Sequence, residues 1–230
     1  GIATAGLFGA VSGSTLAAGM VVLDASGIAY EPWAPALYPF MDIPALVLAI
    51  VLASLYLKRK DGSGEKVNIW GIVKESLQGS ALSALLLGIA LGLFTNPEKV
   101  VDTFYEPLFR GLLSVLMLIM GIEAYARLKE LQRVAHWFAV YATVMPIVHG
   151  LIAFGLGYIA HVTVGFSPGG VVLLAVIAGS SSDISGPPTL RAGIPTANPS
   201  AYIGASTSVG TPVAIAIGIP LYIGLAQVVF

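Results

Sequence analysis

The stretch Val176–Tyr202, VIAGSSSDISGPPTLRAGIPTANPSAY, decides how this chain is read. It begins apolar, passes through Ser180, Ser181, Ser182, Asp183, Ser185 and Gly186, and then meets Pro187 and Pro188. Two successive prolines remove two backbone donors and clash with the preceding turn, so a helix running through this stretch is predicted to break or unwind near Ser185–Pro188. Unwinding exposes amide and carbonyl groups. In hydrocarbon such groups survive only when they are buried in protein or line a polar cavity.

Hydrocarbon is the expected surrounding. Of 230 residues, 57% are hydrophobic and only 10% charged, and the mean hydropathy is +0.89. Soluble domains carry about 25% charged residues. The 27 glycines and 14 prolines are spread through apolar stretches, as in membrane helices, where neighbouring helices re-satisfy a broken backbone. A net charge of -1 offers no basic face to nucleic acid, three histidines leave little for a metal site, and the lack of cysteine excludes disulfides. Gly1 stands within an apolar run with no charged leader before it, so residues upstream of it are expected to be missing.

Stretches long and apolar enough to cross a bilayer fall near 1–23, 35–57, 79–95, 108–127, 134–161, 169–195 and 200–229. Basic residues crowd the loops around Lys58–Lys66 and Arg127–Arg133, whereas the 24–34 and 96–107 loops are acidic. The positive-inside rule then places 58–66, 127–136 and 191–199 in the cytoplasm, and 24–34, 96–107, 161–168 and Phe230 outside. The polar linker Lys58–Glu65 (KRKDGSGE) divides a front piece, 1–57, from a rear piece, 79–230. Between them, Val67, Trp70, Val73 and Leu77 recur at helical spacing within 58–78 and suggest a short helix on the cytoplasmic interface, or a plain solvated connector.

A second interrupted span lies at the front, GLFGAVSGSTLAAG (Gly6–Gly19), with Ser12, Gly13, Ser14 and Thr15 at mid-membrane depth. Small residues four apart, such as Gly9 and Gly13, also mark close helix packing, and that reading stays open for the front motif alone. Asp183 beside three serines is harder to assign to packing, because an ionisable group inside a span usually serves an ion or substrate route. Similar hydroxyl-rich interruptions in two halves point to a transporter of inverted repeats with its site at the bilayer midplane. Half-helix amino ends and hydroxyl protons suit an anion; unwound carbonyls, hydroxyl oxygens and a carboxylate suit a hard cation such as sodium. With Asp183 as the acidic residue of the site and no base at its depth, cation-coupled anion uptake is the expected chemistry. A passive anion channel and a membrane anchor for a cytoplasmic regulator are the other classes. An intramembrane enzyme is disfavoured, because Asp183 has no second carboxylate or histidine close by in sequence.

Other polar residues have simpler readings. Asp42, between Pro39 and Pro44, fits a cap or dipole partner better than an ion ligand. His149 fits a hydrogen-bonded packing role, and Asn198 fits a helix cap. Arg191 serves equally as a positive-inside anchor or an attractor of the anion. Ser206, Thr207 and Thr211 either complete the site or bridge helices. The runs Gly79–Gly92 and Leu112–Gly121 are assigned to gate scaffold and subunit contacts rather than to chemistry.

The strings GLFGAVSGSTLAA, ALYPFMDIPALV, ESLQGSALSALLLGIALG, EPLFRGLLSVLMLIMG and SSSDISGPPTLRAGIPTANPSAYIGASTSVGTP resemble the cyanobacterial sodium-dependent bicarbonate transporter family, the high-affinity symporters of the carbon-concentrating mechanism. The resemblance covers essentially the whole chain. It implies an all-α polytopic membrane protein of two inverted five-helix repeats, with two discontinuous helices and core and gate subdomains, of which this chain lacks about the first three helices. It also implies sodium as the coupling ion with no further cofactor, a homotrimer in the plasma (inner) membrane, and a PII-like nucleotide-binding regulator docking from the cytoplasm. Carried over by position, Ser12, Gly13, Ser14, Thr15, Ser182, Ser185 and Gly186 are the expected bicarbonate contacts, and Asp183, Ser181, Ser180 and Thr15 the expected sodium contacts.

Overall fold

In a computed structural model of the chain, the residues described are 1–61, 70–71, 74, 80–95, 97–134 and 136–230. Among them the secondary structure is entirely helical. The helices are α1 (Ile2–Gly9), α2 (Gly13–Ala25), α3 (Tyr38–Asp61), α4 (Ser80–Phe94), α5 (Glu106–Val134), α6 (His136–Val164), α7 (Pro168–Ala178), α8 (Gly186–Gly193), α9 (Pro199–Ala205) and α10 (Ile219–Val229). A 3-10 turn, Ala34–Leu37, leads into α3, and wide i→i+5 turns lead into α5 and join α9 to α10 through Thr211–Val213.

Ile2–Ala25, Ala34–Leu57, Trp137–Val164 and Pro199–Val229 are each long and apolar enough to cross a membrane, which makes this a multi-pass membrane protein. Of the other expected crossings, 79–95 corresponds to α4, 108–127 falls within α5, and 169–195 is divided between the short helices α7 and α8. The polar linker begins later than expected. Helix α3 continues through Lys58 to Asp61, where a helix end favours basic residues such as Arg59. The rest of the linker, and most of the amphipathic stretch after it, lie outside the described residues.

Both breaks are present. The front one separates α1 from α2, so Gly9 and Gly13 do not lie on successive turns of one helix, as the packing reading requires. The rear one runs from Gly179 to Ser185. It lies earlier than the prolines alone suggest. Pro187 and Pro188 occupy the first turn of α8, where N–H groups have no intrahelical acceptor and proline costs no ladder bond. They start the second half-helix; the serine run does the unwinding.

Two apolar clusters flank the breaks. One joins Val11, Leu16 and Leu23 to α7, Phe154, Ile219 and Tyr222; the other joins Leu7, Phe8 and Ala10 to Leu46, Ile50, Leu190, Tyr202 and Ile203. Burial of these side chains at about 25 cal/mol per Å² holds the broken segments between well-packed walls. Close approach is required at Gly19, where an added Cβ would lie 2.8 Å from Val176 on α7.

At one end of the molecule the 24–34 loop meets the start of α7. Glu31 accepts from the Ser167 N–H at 2.7 Å and the Ser167 hydroxyl at 2.9 Å, Trp33 stacks on Phe166, and the Ser167 hydroxyl oxygen caps α7 by accepting from Gly170 N–H. Phe230 packs edge-on against His161 at the same end, so the segments 24–34, 161–168 and the last residue lie together. Burial, with the charge and hydrogen bond of Asp24, pushes the Tyr30 phenol up to about 12 and keeps it protonated.

Candidate functional site

The two breaks cross and satisfy each other. Leu7 O, near the end of α1, accepts from Ser182 N–H of the rear break at 2.8 Å, and Ser12 N–H of the front break donates to Ser180 Oγ at 2.8 Å. Ser180 in turn donates to Ile177 O, a carbonyl freed where α7 stops. Phe8 O, another freed carbonyl, lies 3.0 Å from His149 Nδ1, so the intramembrane histidine has the hydrogen-bonded packing role expected of it. Unwound backbone in an apolar interior must be paired in this way.

Asp183 sits at the amino end of α2. Ser12 is the N-cap, its hydroxyl oxygen accepting from Thr15 N–H at 3.2 Å. The Ser12 and Ser14 hydroxyls lie 2.7 Å apart, and they approach the two carboxylate oxygens of Asp183 at 3.1 Å and 2.8 Å. A carboxylate at this position is favoured by the positive end of the half-helix.

One feature of the site runs against the sequence reading. Asp183 is not its sole acidic residue: Asp42, only 2% exposed, reaches the crossing from α3. Its Oδ1 accepts from Val11 N–H of the front break at 3.1 Å, and its Oδ2 accepts from the Ser185 hydroxyl of the rear break at 3.0 Å. Asp42 is a dipole partner as expected, but to a break in other helices rather than to its own helix. Distance in sequence hid it, since the contact to Val11 spans 31 positions and that to Ser185 spans 143. The ALYPFMDIPALV string, with a carboxylate one turn inside a span, was the available signal.

Around Asp42 the hydroxyls form a directed chain. Ser185 gives its single proton to Asp42, so in the 3.3 Å contact with Tyr38 it is Tyr38 that donates; the Ser182 hydroxyl lies 3.0 Å from that of Ser185 and also bonds to Asp42. Ser182 Oγ accepts from Gly186 N–H, serving the first turn of α8. Ser181 lies deeper, bonded to Ser206 Oγ at 2.8 Å, and Ser206 donates to Ser182 O. Ser206 thus belongs to the crossing. Asn198 caps α9 through Ser200 N–H, and Arg191 is exposed in the last turn of α8.

A cavity of about 420 Å³ opens against this crossing. Gly13, Ser14, Ala17, Tyr38, Asp183 and Ile184 form one wall; Phe109, Leu112, Leu113 and Leu116 of α5 form the other. Thus α5, whose run Leu112–Gly121 is read from sequence as gate scaffold, supplies the apolar face of the cavity. Of the expected site residues, Gly13, Ser14 and Asp183 border it. Ser12, Ser182, Ser185 and Gly186 stand behind them as hydrogen-bonding support, and Ser180, Ser181 and Thr15 are fully buried. Thr15 Oγ1 and Thr211 Oγ1 are buried without a partner among the described residues.

Taken together, the fold and site define a multi-pass helical membrane protein with a polar, acidic crossing of two interrupted helices inside it. The family model of the Na+-dependent bicarbonate transporter superfamily matches residues 1–227, and the chain belongs to that superfamily. No curated protein matches the chain.

Proposed function

We propose that the protein is a sodium–bicarbonate symporter that takes inorganic carbon into the cytoplasm, with the crossing of the two breaks as its ion and substrate site. The single observation that carries this reading is the placement of Asp183. It lies on a cavity at the amino end of a half-helix, with hydroxyls on both its oxygens. A carboxylate, hydroxyl oxygens and a cavity with no lysine or arginine bordering it among the described residues suit a sodium ion. The half-helix dipole and the cation together suit an anion. Coupling to the membrane potential supplies about 2.3 kcal/mol per 100 mV for each charge moved.

In this reading 1–57 closes a first inverted repeat and 79–230 forms the second, with α1, α2, α7 and α8 in the core and α5 as the gate wall across the cavity. Ser14, Gly13 and Asp183 touch the ligands, and the remaining serines hold them in place. Family resemblance extends the proposal to a trimer in the inner membrane and a cytoplasmic PII-like regulator, and the charges of the loops extend it to a carboxyl terminus outside. An enzyme is not favoured: Asp42 and Asp183 are both held by hydroxyls, and family membership speaks for transport.

The test is uptake of labelled bicarbonate by vesicles with and without an inward sodium gradient. Wild-type uptake is expected to follow the gradient, and Asp183→Ala to reduce it to background while the protein remains folded and in the membrane. Normal uptake by that variant overturns the site assignment. Flux that ignores sodium and does not saturate favours a passive channel.

A further inference from the structure

Resting on the symport reading, we infer that Asp183 is a tethered competitor of the transported anion, so that sodium must bind before bicarbonate can. The amino end of α2, where an anion would be received, already holds the Asp183 carboxylate. Ser12 and Ser14 have one hydroxyl proton each, against three contacts, the one between the serines and one to each carboxylate oxygen, so the two protons fill two of the three at any moment. Neither is left for a ligand. Tyr38 is the other hydroxyl-bearing residue on the cavity wall, and its proton is directed to Ser185, because Ser185 gives its own to Asp42.

The polar side chains on the cavity wall therefore offer a carboxylate and hydroxyl oxygens whose protons are turned inward. All are acceptors. Such a lining repels bicarbonate and receives a cation. A sodium ion on Asp183 cancels the local negative charge and draws on the carboxylate and Ser14 oxygens. The hydroxyl protons then swing away from the cation and toward the cavity, where they become donors to bicarbonate oxygens. The cation thereby converts an acceptor lining into a donor lining. Binding order, and with it coupling, follows from proton direction without a large movement of the helices.

The test is equilibrium binding of labelled bicarbonate to the purified protein at constant pH, with sodium or with N-methylglucamine in its place. Wild type is expected to bind at least about tenfold more weakly without sodium, since a ligand shifts an equilibrium only by its differential affinity. Asp183→Asn keeps the shape and removes the charge, and it is expected to bind bicarbonate to the same extent with or without sodium while failing to transport. A measurement needing no variant is wild-type uptake kinetics. Sodium-first binding requires the bicarbonate KM to fall as sodium rises, with Vmax at saturating bicarbonate unchanged. Equal bicarbonate binding by wild type in both salts, or a sodium effect on Vmax alone, overturns the inference while leaving sodium-driven uptake intact. Uptake that ignores sodium altogether strikes the symport reading itself, and this inference with it.

Discussion

At the front break unwinding releases both donors and acceptors: Val11 N–H goes to Asp42 and Ser12 N–H to Ser180, while Leu7 O receives Ser182 N–H and Phe8 O faces His149. At the rear break the side chains are chiefly acceptors and relays, with Asp183 receiving Ser12 and Ser14, Ser180 receiving Ser12 N–H, and Ser182 receiving Gly186 N–H. The front break is short and carries no charge; the rear one is longer and brings a carboxylate. Neither is satisfied alone. An interrupted helix in an apolar interior needs partners for its donors and its acceptors alike, and here each break supplies some of both to the other, with Asp42 tying both to α3.

The strongest way to break this pairing is at its shared tie. Asp42→Ala leaves the buried Val11 N–H and the half-buried Ser185 hydroxyl without their acceptor, at about 1–3 kcal/mol for the amide and less for the hydroxyl. A marked fall in melting temperature in detergent is expected, with a smaller fall for Asp42→Asn, whose carbonyl still accepts from Val11. Equal melting of wild type and Asp42→Ala would mean that the breaks do not depend on α3.

The next effect separates the two breaks by their glycines. An added Cβ on Gly186 would lie 2.5 Å from Leu7 Cδ2 and 2.8 Å from Ser182 Cβ, whereas one on Gly13 would meet Tyr38 at an ordinary 3.8 Å. Gly186→Ala is therefore expected to destabilise by about 1–3 kcal/mol through overpacking and to depress uptake. Gly13→Ala, measured by the same melting assay, should stay close to wild type in stability. The reverse order would show the front break to be the tighter one.

The smallest effect is expected far from the crossing. Glu31→Gln at the loop contact keeps the shape of the Ser167 contact and loses the charge, at about 0.5–1 kcal/mol. Its melting temperature should drop slightly, and sodium-driven uptake should persist. Lost uptake would tie the 24–34 loop to transport.

The class of the molecule and the existence of two interruptions were legible in the chain itself. Low charge and high hydropathy follow from composition, and Ser-rich, Gly-rich and Pro-rich stretches unwind for local reasons. The two prolines point to a break slightly later than the real one, because in the first turn of α8 their missing N–H groups cost no ladder bond. His149 and Asn198 fell into the roles their sequence neighbourhoods implied. The role of Asp42 did not, because the groups it binds belong to other helices.

Sequence by itself fixed which residues could carry charge and hydroxyls within the membrane, since residue type and local backbone preference are properties of neighbours along the chain. Which donor meets which acceptor comes from packing in three dimensions: that Asp183 closes the amino end of α2, that Asp42 stands behind Ser185, and that α5 walls the cavity. Hydrogen bonding is satisfied in space, between atoms as much as 171 positions apart, and no local pattern encodes those pairings.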